Sequence, residues 1–510
     1  MNALSSSTEI AVIGAGAMGS GIAQVAAAAG HTVWLFDVRE GAAAKSREQI
    51  RAMFTRLVEK GRMKTEQAQM ASEALRVASS INDVAAAGLV IEAIVEDLEA
   101  KQHLFLELEA VVDPTAILAT NTSSVSITAI AAKLAYPGRV AGLHFFNPAP
   151  LMALVEVVSG LATDKTVAQT LYQTALAWGK KPVLTRSTPG FIVNRVARPY
   201  YAEALRLLEE QVSNVDTLDA LMREGGGFPM GPFELMDLIG HDVNFAVTCS
   251  VFQSYFQDPR YKPSLSQQEL VSAGFLGRKS GRGFYFYGPQ ATPPAVSEHE
   301  PKPVPAKLIV EGNLGPAEDL LASPLQGVDL QCVQGGGLLR MDGCTLALSD
   351  GRSATIRSAE DNLPNLVLFD LALDFKKSGR LAIARADQAS PAAIDVATGL
   401  LQALGWRVSV IDDTPGLVVL RTVAMLANEA SDALMQSVAT AHDIDRAMRF
   451  GVNYPEGPLA WADRLGADYL YRVLDNIQRH YQEDRYRPSA LLRRLAAGKG
   501  RFVESQSSAP

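Results

Sequence analysis

His144 and Glu156 are the residues of this chain whose types and placement suit acid-base chemistry at a carbon-bound hydroxyl. His144 closes a strand-like run from Arg139, and Glu156 sits in the next apolar run, Leu154-Val155-Glu156-Val157-Val158. Imidazole titrates near neutrality, and open α/β sheets bind ligands at the ends of their strands. A carboxylate in an apolar run is costly to bury alone, and an imidazole partner would remove that cost. Such a pair fits oxidation of a secondary alcohol, in which a base takes the hydroxyl proton while hydride leaves for a nicotinamide. On position alone a second reading stays open, with His144 a satisfied core histidine and Glu156 an exposed edge residue.

Hydride chemistry needs a cofactor site, and Gly14-Ala15-Gly16-Ala17-Met18-Gly19 follows the first strand-like run directly and opens a helix. Gly14 permits a tight turn, Gly16 lets a pyrophosphate approach the backbone, and Gly19 lets helix and strand pack closely. The free amides and dipole of the helix N-terminus then hold the phosphate charge. Asp37 ends the second strand about 20 residues on, where an acidic residue accepts the adenosine ribose hydroxyls and repels a 2′-phosphate. NAD is therefore expected over NADP, with Arg39 two residues later able to soften the choice. The alternative is a glycine-rich turn beside a solvent-facing aspartate.

The elements that must position these residues alternate in the first segment. Glu9 to Ile13, His31 to Asp37, Leu89 to Ile94, Ala116 to Thr120 and Arg139 to His144 read as strands. Gly19 to Ala29, Leu98 to Val111 and Ile127 to Leu134 read as helices between them. That rhythm predicts a Rossmann-type α/β domain over 1–186, with a parallel sheet covered by helices on both faces. An all-α domain is expected over 187–287, and a proline-rich interdomain linker over 288–306, where Pro289, Pro293, Pro294, Pro301, Pro303 and Pro305 favour extended backbone.

A repeat then appears. Thr188-Pro189-Gly190-Phe191-Ile192-Val193-Asn194-Arg195 returns as Thr414-Pro415-Gly416-Leu417-Val418-Val419-Leu420-Arg421, and an offset of 226 residues also joins Glu203 to Glu429. Gly231-Pro232 returns as Gly457-Pro458, Asp237 as Asp463, and Lys262-Pro263-Ser264 is echoed by Arg487-Pro488-Ser489. The helical domain is thus duplicated over 413–505. Residues 307–412, with Leu308-Ile309-Val310-Glu311 and a strand-like Leu366 to Leu373, are expected to be a degenerate remnant of the first α/β domain. The second copy carries Leu420 where the first has Asn194, and no counterpart of the His144 run precedes it, so it is expected not to catalyse.

Bulk properties bound the partners. With 510 residues the chain needs several domains, and 48% hydrophobic with 20% charged residues describes a globular protein. A formal charge of -8 argues against a nucleic-acid surface. No run has the apolar length of a membrane span, and Met1 to Thr8 lacks the charged and apolar regions of a secretory signal, so no membrane partner is expected. Cys249, Cys332 and Cys344 stand apart without CxxC spacing, which indicates neither metal nor disulfides and suits a reducing, cytoplasmic setting.

In four motifs the chain resembles the 3-hydroxyacyl-CoA dehydrogenase family: Asn121-Thr122-Ser123-Ser124, Gly142-Leu143-His144-Phe145-Phe146-Asn147-Pro148, Leu154-Val155-Glu156-Val157 and Pro189-Gly190-Phe191-Ile192-Val193-Asn194-Arg195. The resemblance covers residues 9 to about 286 and extends more weakly through the second copy. It implies His144 as base, Glu156 as its orienting partner, and Ser123 and Asn194 as contacts to an acyl-CoA substrate. It implies Met18, Asp37, Ile94, Val95, Glu96, Lys101, Ser123 and Asn147 around NAD. Family members dimerise through the helical domain, which implies an intrachain pseudo-dimer with one active site per chain, compatible with further homo-oligomers. The long architecture resembles the stand-alone bacterial dehydrogenases of the phenylacetate-degradation type. That implies 3-hydroxyadipyl-CoA as substrate, with 3-hydroxybutyryl-CoA or general fatty-acid β-oxidation substrates as alternatives. Lys60, Arg62 and Lys64 form a basic stretch placed to meet coenzyme A phosphates, or simply a solvated loop. Two other readings are a 2-hydroxyacid or 6-phosphogluconate-type dehydrogenase, which lacks this His, Glu and Asn set, and a non-catalytic NAD-binding protein.

Overall fold

The computed structural model describes residues 2–289, 291–292 and 295–503. It divides into two compact units, Met1–Arg195 with Ala433–Val452 and Val196–Asp432 with Asn453–Pro510.

The first unit is built on a sheet of β1 Ile10–Ile13, β2 Val33–Phe36, β3 Leu75–Val77, β4 Leu89–Glu92, β5 Ile117–Thr120, β6 Val140–Phe145, β7 Leu154–Ser159 and β8 Lys181–Arg186. Their order is β3-β2-β1-β4-β5-β6-β7-β8. Along β1, Ile10 and Val12 enter a core with the helix Ala17–Ala28, while Ala11 and Ile13 enter the opposite core with Phe105 and Leu108. Side chains alternate across a strand, so a strand apolar at every position must be covered on both faces.

The expected strands pair in parallel, but β7 runs antiparallel to β6. The connection between them spans only 146–153, shorter than the dozen or so residues a parallel crossover requires. Residues 433–452, expected with the second helical copy, belong to this first unit. Their helix Ala441–Gly451 packs on β7 and β8, and the Val438 carbonyl accepts from the Arg186 amide at 2.9 Å.

The second unit holds a sheet of β9 Lys307–Glu311, β10 Asp329–Val333, β11 Leu338–Met341, β12 Cys344–Leu348, β13 Leu366–Phe369, β14 Arg380–Arg385 and β15 Arg407–Val410, ordered β10-β9-β11-β12-β13-β14-β15. The last four strands repeat the pattern of β5 to β8: parallel, antiparallel, parallel. The 226-residue offset carries Leu154–Ser159 onto Arg380–Arg385 and places Asp370 at the position of His144 and Ala382 at that of Glu156.

The two helical copies meet inside this unit through buried charge. Tyr261 donates to Glu429 at 2.6 Å, and reciprocally Tyr486 donates to Glu203 at 3.1 Å. Arg421 pairs with Glu203 at 2.8 Å, and Arg260 pairs with Glu429 at 3.2 Å and with Asp432. Reciprocal contacts of this kind are the mark of an isologous interface.

The proline-rich stretch is not a free linker. Pro293 and Pro294 lie outside the described residues, but Ala295 donates to Asp216 at 2.8 Å, Ser297 to Thr217 at 2.8 Å and His299 to the Val408 carbonyl at 2.8 Å. Extended backbone leaves its amides and carbonyls unpaired, and here they bond along the second unit. Among the described residues no helix is long and apolar enough to cross a membrane.

Candidate active site

The antiparallel register of β6 and β7 sets His144 directly opposite Glu156. His144 Nδ1 bonds Glu156 Oε2 at 2.7 Å, with His144 6% exposed and Glu156 fully buried. The other oxygen, Oε1, accepts the amides of Ile192 and Val193, each at 3.0 Å. A carboxylate offers only acceptors, so Nδ1 donates and the lone pair lies on Nε2. No described residue bonds Nε2, and Phe146 and Phe191 flank the ring at 4.5 and 5.9 Å between centroids. The imidazole is oriented, apolar-walled and free at the nitrogen that would take a proton.

Asn121 was not expected among the site residues, although its motif was read. Its Oδ1 accepts the Phe145 amide at 2.8 Å and so holds the end of β6 in place. Ser123 and Ser124 gather on Glu96, whose Oε1 accepts from Thr122 Oγ1 at 2.6 Å and from the Ser123 amide at 2.8 Å. Burial pushes the Glu96 pKa up, but the Lys101 charge and these donors outweigh it and hold it at about 2. Asn194 is partly exposed at the start of the helix Val193–Val196, and its carboxamide makes no hydrogen bond among the described residues.

The glycine loop has the geometry its sequence implies. Gly14 has φ +104, and a Cβ there would sit 2.4 Å from the Ala93 carbonyl oxygen. At Gly19 a Cβ would lie 1.8 Å from the Gly14 oxygen, while at Gly16 it would meet open space. Beside the loop is a cavity of about 890 Å³, lined by Gly14, Gly16, Asp37, Ile94 and Val95 among others. Asp37 accepts the Ala15 amide at 2.7 Å and pairs with Arg39 at 2.9 Å. Hydrogen bonding from Arg39 brings its pKa to about 2, so it is ionised at any working pH. Turn, open backbone, cavity and carboxylate together fit a dinucleotide.

The remaining expected residues divide. Met18 packs against the core and Asn147 is exposed on the β6–β7 connection. Lys101 is 1% exposed and bonds Glu92 at 2.6 Å and Glu96 at 3.2 Å. Lys60, Arg62 and Lys64 are exposed between the helices Ala42–Glu59 and Thr65–Glu73, with no ion pair among the described residues. Among the described residues no three His, Cys, Asp or Glu side chains gather as a metal site would.

Comparison with known proteins places this geometry in context. Residues 9–188 match the family description "3-hydroxyacyl-CoA dehydrogenase, NAD binding domain", and residues 190–287 and 416–505 match the C-terminal domain of the same family. Residues 346–415 match the "3-hydroxybutyryl-CoA dehydrogenase reduced Rossmann-fold domain". The chain is 47% identical over 96% of its length to the 3-hydroxyadipyl-CoA dehydrogenase of Escherichia coli, covering 97% of that protein. It is 41% identical to the human mitochondrial hydroxyacyl-coenzyme A dehydrogenase over 54% of this chain and 90% of that one. A crystal structure of 3-hydroxybutyryl-CoA dehydrogenase from Escherichia coli superposes with a TM-score of 0.88 at 47% identity, covering 96% of this chain and 98% of that one.

Proposed function

This chain belongs to the 3-hydroxyacyl-CoA dehydrogenase family, and from that premise we propose that it oxidises the 3-hydroxyl of an acyl-CoA thioester to a ketone with NAD. The observation that carries the reading is the His144 and Glu156 pair, with Nδ1 fixed at 2.7 Å and Nε2 left open. His144 Nε2 takes the hydroxyl proton. Glu156 keeps the ring in the tautomer that can do so and stabilises the positive charge that develops on it. Ser123 and the uncommitted Asn194 carboxamide hold the substrate oxygen as it becomes a carbonyl. The glycine loop and Asp37 would hold NAD, which would supply the hydride acceptor.

The substrate we favour is 3-hydroxyadipyl-CoA, because the relative matching nearly the whole chain carries that name. A specific observation keeps 3-hydroxybutyryl-CoA as a second reading, since the superposing crystal structure is described by that activity. Lys60, Arg62 and Lys64, exposed and unpaired, are the cations we assign to the coenzyme A phosphates, in a cytoplasmic setting consistent with three unpaired cysteines.

Residues 344–503 are a second copy of the dehydrogenase, reduced to its last four strands and its helical domain. The shared 226-residue offset, the matching strand senses and the reciprocal Tyr261 and Tyr486 contacts support this. With Asp370 and Ala382 in the places of His144 and Glu156, the copy has no base, and one NAD binds per chain.

Initial rates of NADH formation over a panel of 3-hydroxyacyl-CoA esters test the assignment. The wild-type protein turns over thioesters, and His144→Gln abolishes turnover while equilibrium titration still counts one NAD. Oxidation of free hydroxy acids with no activity on thioesters would overturn the reading.

A further inference from the structure

The second unit holds a cavity of about 460 Å³ that the proposed chemistry does not use. One face of the helix Arg198–Glu209 lines it with Arg198, Tyr201, Ala202 and Leu205, and Thr248 and Lys262 stand on other walls. Arginine is abundant here, and almost every guanidinium is neutralised by a carboxylate. Arg260 has Glu429 and Asp432, Arg421 has Glu203 and Glu210, and Arg485 has Glu483.

Arg198 is the exception. It is 6% exposed, and no described carboxylate pairs with it. Its Nη1 donates to the neutral Thr248 hydroxyl at 3.0 Å, its guanidinium lies 4.9 Å from the Tyr201 ring centroid, and its Nε has no acceptor. Burial without a counter-ion pushes its pKa down from the ordinary guanidinium value. A buried charge left unpaired is strongly unfavourable, and a guanidinium does not escape by losing its proton.

We infer that this cavity is a carboxylate-binding site, with Arg198 as its anchor. The walls choose the ligand. Glu209, Glu210 and Glu483 also line the space and are held by Ser264 at 2.7 Å, by Arg421 at 2.9 Å and by Arg485 at 2.5 Å respectively. Each of these carboxylates already has a hydrogen-bond or ion-pair partner, so none of them is left over to neutralise Arg198. A single carboxylate on a short aliphatic stem meets Arg198 with its head and Tyr201, Ala202 and Leu205 with its stem, and a guanidinium fork matches its two oxygens.

A free short aliphatic acid supplies that chemistry. Isothermal titration of the NAD-loaded protein with butyrate, beside inorganic phosphate, reads the site directly. Butyrate binds, and Arg198→Met weakens it at least tenfold, whereas phosphate binding as tightly as butyrate would overturn the carboxylate assignment. Arg198→Lys, which keeps the charge but loses the fork, weakens butyrate at least threefold and carries the test if the Met variant does not fold.

Absence of butyrate binding to the wild type at millimolar concentration, or equal affinity in the variants, overturns the proposal. The titration judges this site whether or not the protein oxidises a thioester, so failure of one reading leaves the other standing.

Discussion

Glu156→Gln is the sharpest test of the paired imidazole. The substitution keeps size and removes charge. In the native arrangement one oxygen takes the His144 Nδ1 proton at 2.7 Å and the other takes two amides at 3.0 Å. Glutamine has one oxygen and one amino group for those two stations. If its oxygen stays with the amides, its amino group donates to Nδ1, the proton moves to Nε2 and the base is lost. If its oxygen faces Nδ1, its amino group opposes two amide donors in a buried site, an unsatisfied arrangement that costs about 1–3 kcal/mol. The lost charge adds to either outcome: unit charges about 4 Å apart at an effective dielectric of about 20 attract by about 4 kcal/mol. At about 1.4 kcal/mol per tenfold, the charge term alone lowers kcat by about a thousandfold. The assay is NADH formation at saturating NAD over a range of 3-hydroxyacyl-CoA concentrations, with KM expected to stay within about threefold. A kcat within tenfold of wild type, or a loss confined to KM, would refute the reasoning.

Three further outcomes follow from ionisable side chains. Asp37→Ala removes a carboxylate held at about 2 and leaves Arg39 exposed beside the ribose position, so the preference for NAD over NADP in kcat/KM should fall about a hundredfold; an unchanged ratio would remove Asp37 from cofactor selection. Lys101→Met leaves the fully buried Glu92 without its cation and should lower unfolding free energy in urea by about 3–5 kcal/mol, whereas a loss below about 1 kcal/mol would contradict a buried pair. Burial raises Asp219 to about 7 from an ordinary value near 3.8, so the folded state binds the extra proton between these values. Its stabilising effect is complete below about pH 4 and is lost as pH rises through 7. Denaturant unfolding should therefore weaken more between pH 5 and 8 in the wild type than in Asp219→Asn, and equal slopes would defeat that assignment.

The cofactor half of the site was legible because its demands are local. A turn of positive φ at Gly14, a close contact at Gly19 and an acid at a strand end all leave marks at fixed spacing. The pairing of His144 with Glu156 was legible only as chemistry. Nothing in Leu154-Val155-Glu156-Val157 states strand direction, and the antiparallel turn of β7 that aligns the two follows from the shortness of the preceding loop. Lys101 was legible only in part for a related reason: sequence gives a cation on a helix, while its burial against Glu92 depends on where that helix packs. The sharing of 433–452 with the first unit was hidden because a repeat in sequence suggests a boundary at the repeat, and packing obeys no such punctuation. The four repeated strands kept their offset but not their residues, since an apolar strand tolerates any side chain of suitable volume.

Asp370 holds more than an empty place. It accepts the amides of Val418, Val419 and Leu420 at 2.9, 2.7 and 3.0 Å, and its own amide bonds the Ala382 carbonyl at 3.0 Å. Restoring only the histidine, as Asp370→His, would strand three helix-start amides without an acceptor. Restoring only the acid, as Ala382→Glu, would crowd two carboxyl groups into a dry pocket. Each single step toward the arrangement found at His144 and Glu156 is uphill, so the shift of one capping duty between neighbouring strands locks these two positions against stepwise change.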